Sequence, residues 1–303
     1  MKYTRIYRLL GLLGLLSMAR TGLAQDNLLR DLEQHTTDSL QRQPVAATFK
    51  GTRVINGHSV ETPGAGTLIF LISHRFGTLN SGAYNLFGLD QATIRLGLEY
   101  GFTDRLAVGI GRSSLEKTFD GFVKYRVLRQ STGLGASPVS VTLLGATALT
   151  SLRYANEGFE HTFPRRLTYT WQALVARKLT PGLSLQLAPT VVHRNLVDAE
   201  ADDNDVYALG FAGRQKLTKR LALTLEYYYR LPNSRTSGLR DALAAGVDIE
   251  TGGHVFQLHV TNSKGMVEPL FVPRTSGNFF KGDIYFGFNV ARNFTLRPAD
   301  SFR

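Results

Sequence analysis

Apolar and polar residues alternate one by one along much of this 303-residue chain. In residues 91–100 (QATIRLGLEY), every second side chain is apolar, and Arg95 and Glu99 lie between the apolar positions. A β-strand points successive side chains to opposite faces of its sheet, so this segment has one apolar and one polar face. Its length is that of a tilted strand that crosses a membrane, which is about ten residues.

The alternation recurs often enough to account for a whole sheet. It is clear in residues 106–111, 119–127, 139–143, 169–175, 183–187, 221–230 and 283–290. It is weaker in residues 66–75, 206–214, 242–249 and 255–261. Together with the first segment, these stretches predict about twelve antiparallel strands, and an even number returns both chain ends to the same side of a membrane.

The connections between these segments are of two kinds that alternate along the chain. Short turns lie at residues 102–106, 179–183, 217–221 and 250–253. Longer polar stretches lie at residues 77–89, 150–166, 195–205, 232–240 and 262–281, and the connection at residues 112–116 on the same side is brief. This arrangement is typical of outer-membrane barrels, which place their short turns in the periplasm. Residues 130–137 fall on the turn side, although this connection is longer than the other turns.

These patterns predict an all-β fold, an antiparallel transmembrane β-barrel over residues 64–296, followed by a tail at residues 297–303. Aromatic residues near the strand ends match the girdles that such barrels carry at both membrane interfaces. The candidates for this lipid-facing belt are Tyr100, Phe102, Tyr169, Trp171, Tyr227, Tyr229, Phe286 and Phe288.

The first two dozen residues have the pattern of an export signal. Three basic residues precede a short apolar run at residues 9–16, and small residues follow it. This predicts a secretory signal peptide at residues 1–24 that is cleaved after Ala24. The apolar run is only about half the length that a membrane-spanning helix needs.

Residues 25–63 lack the alternation and are predicted to form a short periplasmic extension. Within it, residues 53–60 (RVINGHSV) place Asn56-Gly57 between β-branched residues, which is a strong hairpin signal. Two positions for this hairpin remain open from the sequence: a periplasmic lip at the barrel mouth, or a partial plug in the lumen.

The composition excludes several kinds of chemistry. The chain has no cysteine, so it cannot form disulfides, thiolate metal sites or iron–sulfur clusters. His254 and His259 are five residues apart on a predicted strand and point to opposite faces, so no metal site is predicted. The formal charge of +11 comes from scattered basic residues. We therefore do not expect nucleic acid as a partner. We predict no cofactor either, because the glycine pairs at residues 109–111 and 133–135 lack the following helix of a dinucleotide-binding motif.

If the apolar faces meet lipid, the polar faces line the interior. The lumen-lining candidates are Arg95, Glu99, Lys124, Arg126, Gln172, Glu226 and Arg230. Charges of both signs in a narrow barrel form either a largely closed interior or a small aqueous path. The excess of Arg and Lys favours a small anionic solute as the partner. The sequence thus predicts a narrow channel or a binding or scaffold barrel, and not an enzyme.

Two other functions remain open. A barrel hydrolase of the esterase or phospholipase type needs a serine beside an oriented histidine. The candidate positions are His193 at a loop rim and His74 next to Ser73, although neighbouring residues on a strand face opposite sides. A secreted soluble β-sandwich is the third interpretation, and it requires a second sheet to cover the apolar faces.

Five segments have a distinctive sequence: residues 47–62 (ATFKGTRVINGHSVET), 73–80 (SHRFGTLN), 84–90 (YNLFGLD), 108–114 (VGIGRSS) and 189–195 (PTVVHRN). They resemble an uncharacterised family of Gram-negative outer-membrane β-barrel proteins, and the resemblance spans residues 45–296. It implies an outer-membrane barrel and no particular activity, substrate or catalytic residue. Such a barrel has the outer-membrane lipid and the barrel-assembly machinery as partners. Its last strand is predicted to end at the aromatic Phe294.

Overall fold

Twelve antiparallel strands form the main body of the protein, whose computed structural model describes residues 41–153, 162–197, 203–232, 238–251 and 254–297. The strands are β1 Thr67–Thr78, β2 Ala92–Gly101, β3 Leu106–Ser113, β4 Thr118–Leu128, β5 Ser140–Thr150, β6 Leu167–Lys178, β7 Leu183–Arg194, β8 Asp205–Lys216, β9 Leu221–Arg230, β10 Ala242–Glu250, β11 His254–Thr261 and β12 Tyr285–Thr295. The predicted signal peptide and its cleavage site at Ala24 lie outside the described residues, as does most of the predicted tail. The proposed domain boundaries there stay predictions.

The sheet closes on itself. Each strand pairs with the next along the chain, and β12 returns to β1 with Phe294 opposite Leu68 and Phe288 opposite His74. Closure leaves no unpaired sheet edge, which is the condition for a sheet to cross a lipid bilayer. The predicted fold, a closed antiparallel barrel of about twelve strands, is confirmed.

The two faces of the barrel wall differ in the way that the alternation predicts. On β2, Ile94 and Leu96 are 40% and 45% exposed on the outer side, whereas Arg95 and Glu99 are each 1% exposed on the inner side. Other exposed apolar residues of the outer face are Ile110, Val123, Leu143, Trp171, Leu187, Phe211, Leu225 and Leu258. An exterior of this kind is favourable in lipid and unfavourable in water.

Short turns lie at one end of the barrel, which we call the turn end, and longer connections lie at the other, the loop end. A threonine hydroxyl closes three of the turns. Thr103 Oγ1 accepts hydrogen bonds from the backbone N–H groups of Arg105 and Leu106 at 3.1 and 2.9 Å. Thr180 and Thr218 accept equivalent bonds in their own turns. The hydroxyl satisfies amides that a tight turn leaves unpaired.

A small unit of the described chain forms a two-residue ladder. Gln43–Pro44 pairs antiparallel with Ser131–Thr132, and Arg42 Nε donates a hydrogen bond to the Ser131 hydroxyl at 3.0 Å. Ser131–Thr132 lies in the connection between β4 and β5, which is longer than the other turns.

Two further segments lie inside the barrel. Residues 45–63, which precede β1, include a hairpin at residues 51–60, and we call this stretch the hairpin segment. The connection between β11 and β12 carries helix α1, Glu268–Arg274. None of the described helices is long and apolar enough to cross a membrane.

The burial of α1 corrects an expectation from the sequence. Residues 262–281 are predicted as a polar outer stretch, whereas residues 265–273 are all buried. Phe271 and Val272 pack against Tyr228 and Val192 of the inner wall. The apolar side chains of α1 are removed from water by this contact, and their burial favours an inward position.

Candidate functional site

The seven predicted lumen-lining side chains are all buried, and they fall on β2, β4, β6 and β9. The structure does not bring them into a single cluster. Lys124, Arg126 and Glu226 bind the hairpin segment. The other four lie near separate partners: Arg95 near Asp120, Gln172 near Thr190, Arg230 near Asp241, and Glu99 near Arg53.

The hairpin is a tight two-stranded turn with Asn56 and Gly57 at its tip. The N–H of Val54 donates to the carbonyl of Gly57, and the N–H of Ser59 donates to the carbonyl of Thr52, both at 2.9 Å. Residues 52–60 are all buried. A lone hairpin cannot satisfy all of its own donors and acceptors, so the buried remainder needs partners on the barrel wall.

Glu226 on β9 binds the hairpin tip. Its carboxylate oxygens lie 3.0–3.2 Å from the backbone nitrogens of Ile55, Asn56 and Gly57. Successive amides that point at one anion form a nest, which is an anion-binding arrangement of the backbone. Hydrogen bonds to an ionised carboxylate are roughly twice as strong as neutral ones. Glu226 therefore fixes the position of the tip.

Amide and hydroxyl side chains of the wall satisfy further backbone groups of the hairpin. Gln186 on β7 donates to the carbonyl of His58 at 2.8 Å and accepts from the N–H of Val60 at 2.7 Å. Similar bonds run from Thr142, Gln257 and Asn289 to the carbonyls of Val60, Val54 and Ile55, at 2.7 to 2.9 Å. The inner wall thus supplies the partners that a neighbouring strand supplies in a sheet.

Lys124 on β4 binds the two sides of the hairpin at its base. Its Nζ donates to the carbonyls of Thr52 and Glu61 at 3.1 and 2.8 Å. The Glu61 carboxylate accepts from the N–H of Thr48 at 2.7 Å and pairs with Arg126 at 3.1 Å. Buried charges need such partners to offset the loss of water. These bonds hold the base of the hairpin against β4.

The hairpin and α1 contact each other through Glu268. One carboxylate oxygen accepts from the N–H of His58 at 3.2 Å, and the other lies 3.7 Å from Arg53 Nη1. Arg53 Nε lies 3.9 Å from the carboxylate of Glu99 on β2. One carboxylate thus connects the segment before β1 with the segment before β12 inside the barrel.

Apolar packing adds to these polar contacts. Phe49, Val54, Ile55 and Val60 of the hairpin segment are each at most 2% exposed. Their neighbours on the inner wall are small residues and one leucine: Leu174, Ala176, Ala188 and Ala244. Small wall residues leave the volume that the hairpin occupies.

The inner wall carries more positive than negative charge. In the described strands, seven buried side chains are cationic and four are carboxylates. The cations are Arg75, Arg95, Lys124, Arg126, Arg194, Arg214 and Arg230, and the carboxylates are Glu99, Asp120, Glu226 and Asp248. This count leaves out the hairpin segment and covers only the strands. The inner wall itself is therefore electropositive.

The eight aromatic belt candidates lie on the outer side of the barrel or at its rim. Phe102 and Trp171 are 48% and 52% exposed. The other six are half-buried: Tyr100, Tyr169, Tyr227, Tyr229, Phe286 and Phe288. Tyr100 meets Phe102 edge to face at 5.0 Å, and Tyr169 stacks on Trp171 at 6.1 Å.

The two histidines considered for a hydrolase, His193 and His74, contact an aspartate and aromatic rings. His193 Nδ1 lies 2.7 Å from Asp205 Oδ1, and its ring stacks on Tyr169. His74 stacks on Phe288 at the outer face, whereas Ser73 is buried on the inner side. Ser73 and His74 therefore face opposite sides of β1.

The model of one protein family matches residues 49–294, and its description is "Membrane bound beta barrel domain (DUF5777)". The chain belongs to this family. Family membership, together with the closed barrel, confirms the resemblance and the location in the outer membrane. The protein is therefore a membrane-bound β-barrel, and the soluble β-sandwich is not favoured.

Solved structures of outer-membrane barrels have a similar fold. The NanC porin is 8% identical, with a TM-score of 0.46 over 76% of this chain and 100% of that chain. The KdgM porin is 12% identical, with a TM-score of 0.44 over 75% of this chain and 99% of that chain. An outer-membrane channel from Pseudomonas putida F1 is 13% identical, with a TM-score of 0.44 over 78% of this chain and 98% of that chain. No curated protein sequence matches this chain.

Several residues of the site escape prediction from the sequence. Glu268 is one of them, because its place in the lumen depends on the inward fold of a long connection. A signal was present, since residues 266–272 (MVEPLFV) are too apolar for an exposed loop. Arg75 and Gln257 lie on weakly alternating segments and Asn289 lies on a clear one, but the binding of all three to the hairpin follows only from the closed barrel.

Proposed function

We propose that this protein is a narrow outer-membrane channel for small anionic solutes that rests in a closed state, with the hairpin segment as its plug. The observation that carries this proposal is the binding of the hairpin tip by Glu226. A buried carboxylate is costly unless it is hydrogen-bonded, so its presence opposite three amides indicates a wall adapted to this plug.

The hairpin segment is built in a way that permits release. Its one isolated bridge joins Arg53 to His58 within the hairpin, so leaving the lumen breaks no hydrogen bond between barrel strands. Many of its contacts with the wall are hydrogen bonds, and because water replaces the lost partner each neutral one contributes only about 0.5–1.5 kcal/mol net, and each one to a charged group about 1.5–3 kcal/mol. A modest change at the wall can therefore shift the balance towards an open lumen.

The preference for anions follows from the wall. Once the hairpin segment leaves, the predicted lining residues Arg95, Lys124, Arg126 and Arg230 face the path, together with Glu99, Gln172 and Glu226. The remaining excess of positive charge attracts anions and repels small cations. Outer-membrane barrels keep their short turns in the periplasm and their longer loops outside. The plug, which precedes β1, would therefore enter the lumen from the periplasmic side.

A closed binding or scaffold barrel is the second candidate. The apolar packing of Phe49 and Val60 inside the wall, and of Phe271 on α1, favours it because a dry contact is harder to open than a wet one. A hydrolase has less support: Asp205 orients His193 as a catalytic acid would, but within the described residues no serine hydroxyl is hydrogen-bonded to His193. We propose no catalytic role for this protein.

Bilayer recording separates the two candidates. The mature protein is compared with a variant that lacks residues 45–63 and with Glu226→Gln. We expect few openings in the parent protein, steady current without the hairpin segment, and an intermediate open fraction for Glu226→Gln. In a salt gradient, the reversal potential should report anion preference. A folded barrel without the hairpin segment that conducts no current would support the closed binding barrel instead.

A reversible disulfide between the hairpin segment and the barrel wall provides a control for release of the plug. The chain has no native cysteine, so Val60→Cys with Thr142→Cys places one thiol on the hairpin and one on β5. These residues already share a 2.7 Å hydrogen bond. We expect oxidation to abolish openings and reduction to restore them. Heat-modifiable gel mobility establishes that each variant is a folded barrel.

A further inference from the structure

A cavity lies at the loop end, where α1 meets the ends of β4 to β7. Its volume is about 220 Å³. Four arginines line it: Arg165, Arg166, Arg194 and Arg274. They come from the approach to β6, the end of β7 and the end of α1, so three separate parts of the chain converge on one space. One carboxylate, that of Glu116, also lines it.

Three of these arginines are held in place by bonds to their surroundings. Arg194 is 4% exposed, and its Nη2 donates to the carbonyl of Asp203 at 2.8 Å. Arg166 Nη1 donates to the carbonyl of Leu152 at 3.0 Å. Arg274 Nη1 pairs with Glu116 at 2.7 Å. Side chains that are oriented in advance lose less entropy when a ligand binds.

Thr118 supplies an independent observation. It lines the same cavity and is 1% exposed, yet its hydroxyl has no hydrogen-bond partner among the described residues. A buried hydroxyl without a partner is unfavourable. A ligand with an acceptor oxygen in the cavity would satisfy it.

We propose that this cavity binds a small solute through a phosphate or carboxylate group. The guanidinium group matches both oxyanions, because its N–H groups can bind two oxygens at once. A volume of about 220 Å³ is below the range of about 300–1,000 Å³ that larger organic ligands occupy. The solute is therefore small, or only its charged group enters.

The source of the oxyanion is a soluble molecule and not a lipid headgroup. Thr118, Ala148 and Arg194 are buried inner-wall residues, so the cavity belongs to the barrel mouth and not to the lipid-facing surface. The inference deepens the proposed channel function. The role of the site rests on that proposal, because the site would bind a solute that the channel carries. Binding itself requires no open lumen.

Calorimetric titration of inorganic phosphate into the full mature protein in a nonionic detergent tests this site. We expect saturable binding that weakens at least tenfold in Arg194→Gln and in Arg166→Gln, and that weakens in Thr118→Val. The matched control is Arg112→Gln, because Arg112 is exposed on the outer face over the ring of Phe119. This control should bind phosphate as the parent does.

Three results would overturn the inference. The first is no phosphate binding by the folded parent protein, and the second is equal affinity in the parent and the Arg194→Gln variant. The third is loss of phosphate binding in nanodiscs that contain lipopolysaccharide, since this assigns the cavity to a lipid headgroup. Failure here is distinct from failure of the channel, because binding is measured as heat and conduction as current.

Discussion

Glu226 and Gly57 are 169 residues apart in the sequence, and a hydrogen bond of 3.0 Å joins the carboxylate of the first to the N–H of the second. The bond connects the barrel wall with the tip of the hairpin. Ile55 and Asn56 donate to the same carboxylate. The position of the hairpin tip therefore depends in part on Glu226, whose neutral analogue, glutamine, has nearly the same shape.

Glu226→Gln should loosen the hairpin tip. The amide keeps one acceptor oxygen but loses the charge, and its own NH₂ group faces the hairpin donors. Loss of such a bond costs about 1.5–3 kcal/mol, which raises the open fraction roughly ten- to hundredfold. Hydrogen exchange of the amides at residues 55–57 measures this. Glu116→Gln is the control, because Glu116 pairs with Arg274 at the loop end. Equal protection in both variants would contradict the role of Glu226.

Gly57→Ala should also displace the hairpin, for a steric reason. A Cβ at residue 57 would clash with the hydroxyl of Tyr228 and lie 3.0 Å from its ring carbon Cζ. Overpacking of this kind costs about 1–3 kcal/mol. Gly51→Ala is the matched control, because the nearest atom to its Cβ is 3.5 Å away. In Gly57→Ala, but not in Gly51→Ala, a protease should cleave the hairpin segment at a lower urea concentration than in the parent protein. The same protease sensitivity in both variants would count against the close contact with Tyr228.

The part of the fold that depends on local pattern can be predicted from the sequence. On β2, one apolar and one polar set of residues determine both the strand and its faces, because the side-chain period of a strand is two. Arg95 and Glu99 are therefore predicted on the inner face, where the structure places them. Strand count and closure follow from repeated patterns of this kind.

The partners inside the lumen could not be predicted in the same way. The Asn56-Gly57 pair predicts a hairpin because glycine permits a positive φ in a tight turn. In the structure neither residue has a positive φ, and the absence of a side chain at Gly57 serves its close approach to Tyr228. The pairing of Glu226 with this tip joins distant parts of the chain. No local pattern encodes that pairing.

Asp283 should make the contact between the β1–β2 and β11–β12 connections depend on pH. Its carboxylate accepts from the N–H of Asn278 at 2.9 Å and from Asn80 Nδ2 at 2.6 Å. These donors lower the pKa of Asp283 from its ordinary value of 3.8. A lowered pKa means that the link is at full strength above pH 3.8 and is lost as the pH falls through the folded-state pKa.

Substitution of one donor tests this link. In Asn80→Ala, the pKa of Asp283 should move up towards 3.8, measured by NMR titration of its carboxyl carbon in micelles. Asn85→Ala is the control, since Asn85 Nδ2 donates to the carbonyl of Ser81 within its own loop. A pKa of Asp283 that does not respond to Asn80→Ala would show that the bond between the loops is not formed.

Leu96→Arg tests whether the outer face of β2 meets lipid. Leu96 is 45% exposed and lies beside the inward Arg95. An arginine on the lipid face costs about 2–4 kcal/mol at the bilayer midplane and much less near the interface. The control is Tyr84→Arg, because Tyr84 is 97% exposed in the first loop. Urea-dependent folding in lipid vesicles should show a lower free energy of unfolding for Leu96→Arg alone. If the two variants are equally stable, the alternation of this strand does not reflect a lipid environment, and the assignment of inner and outer faces is wrong.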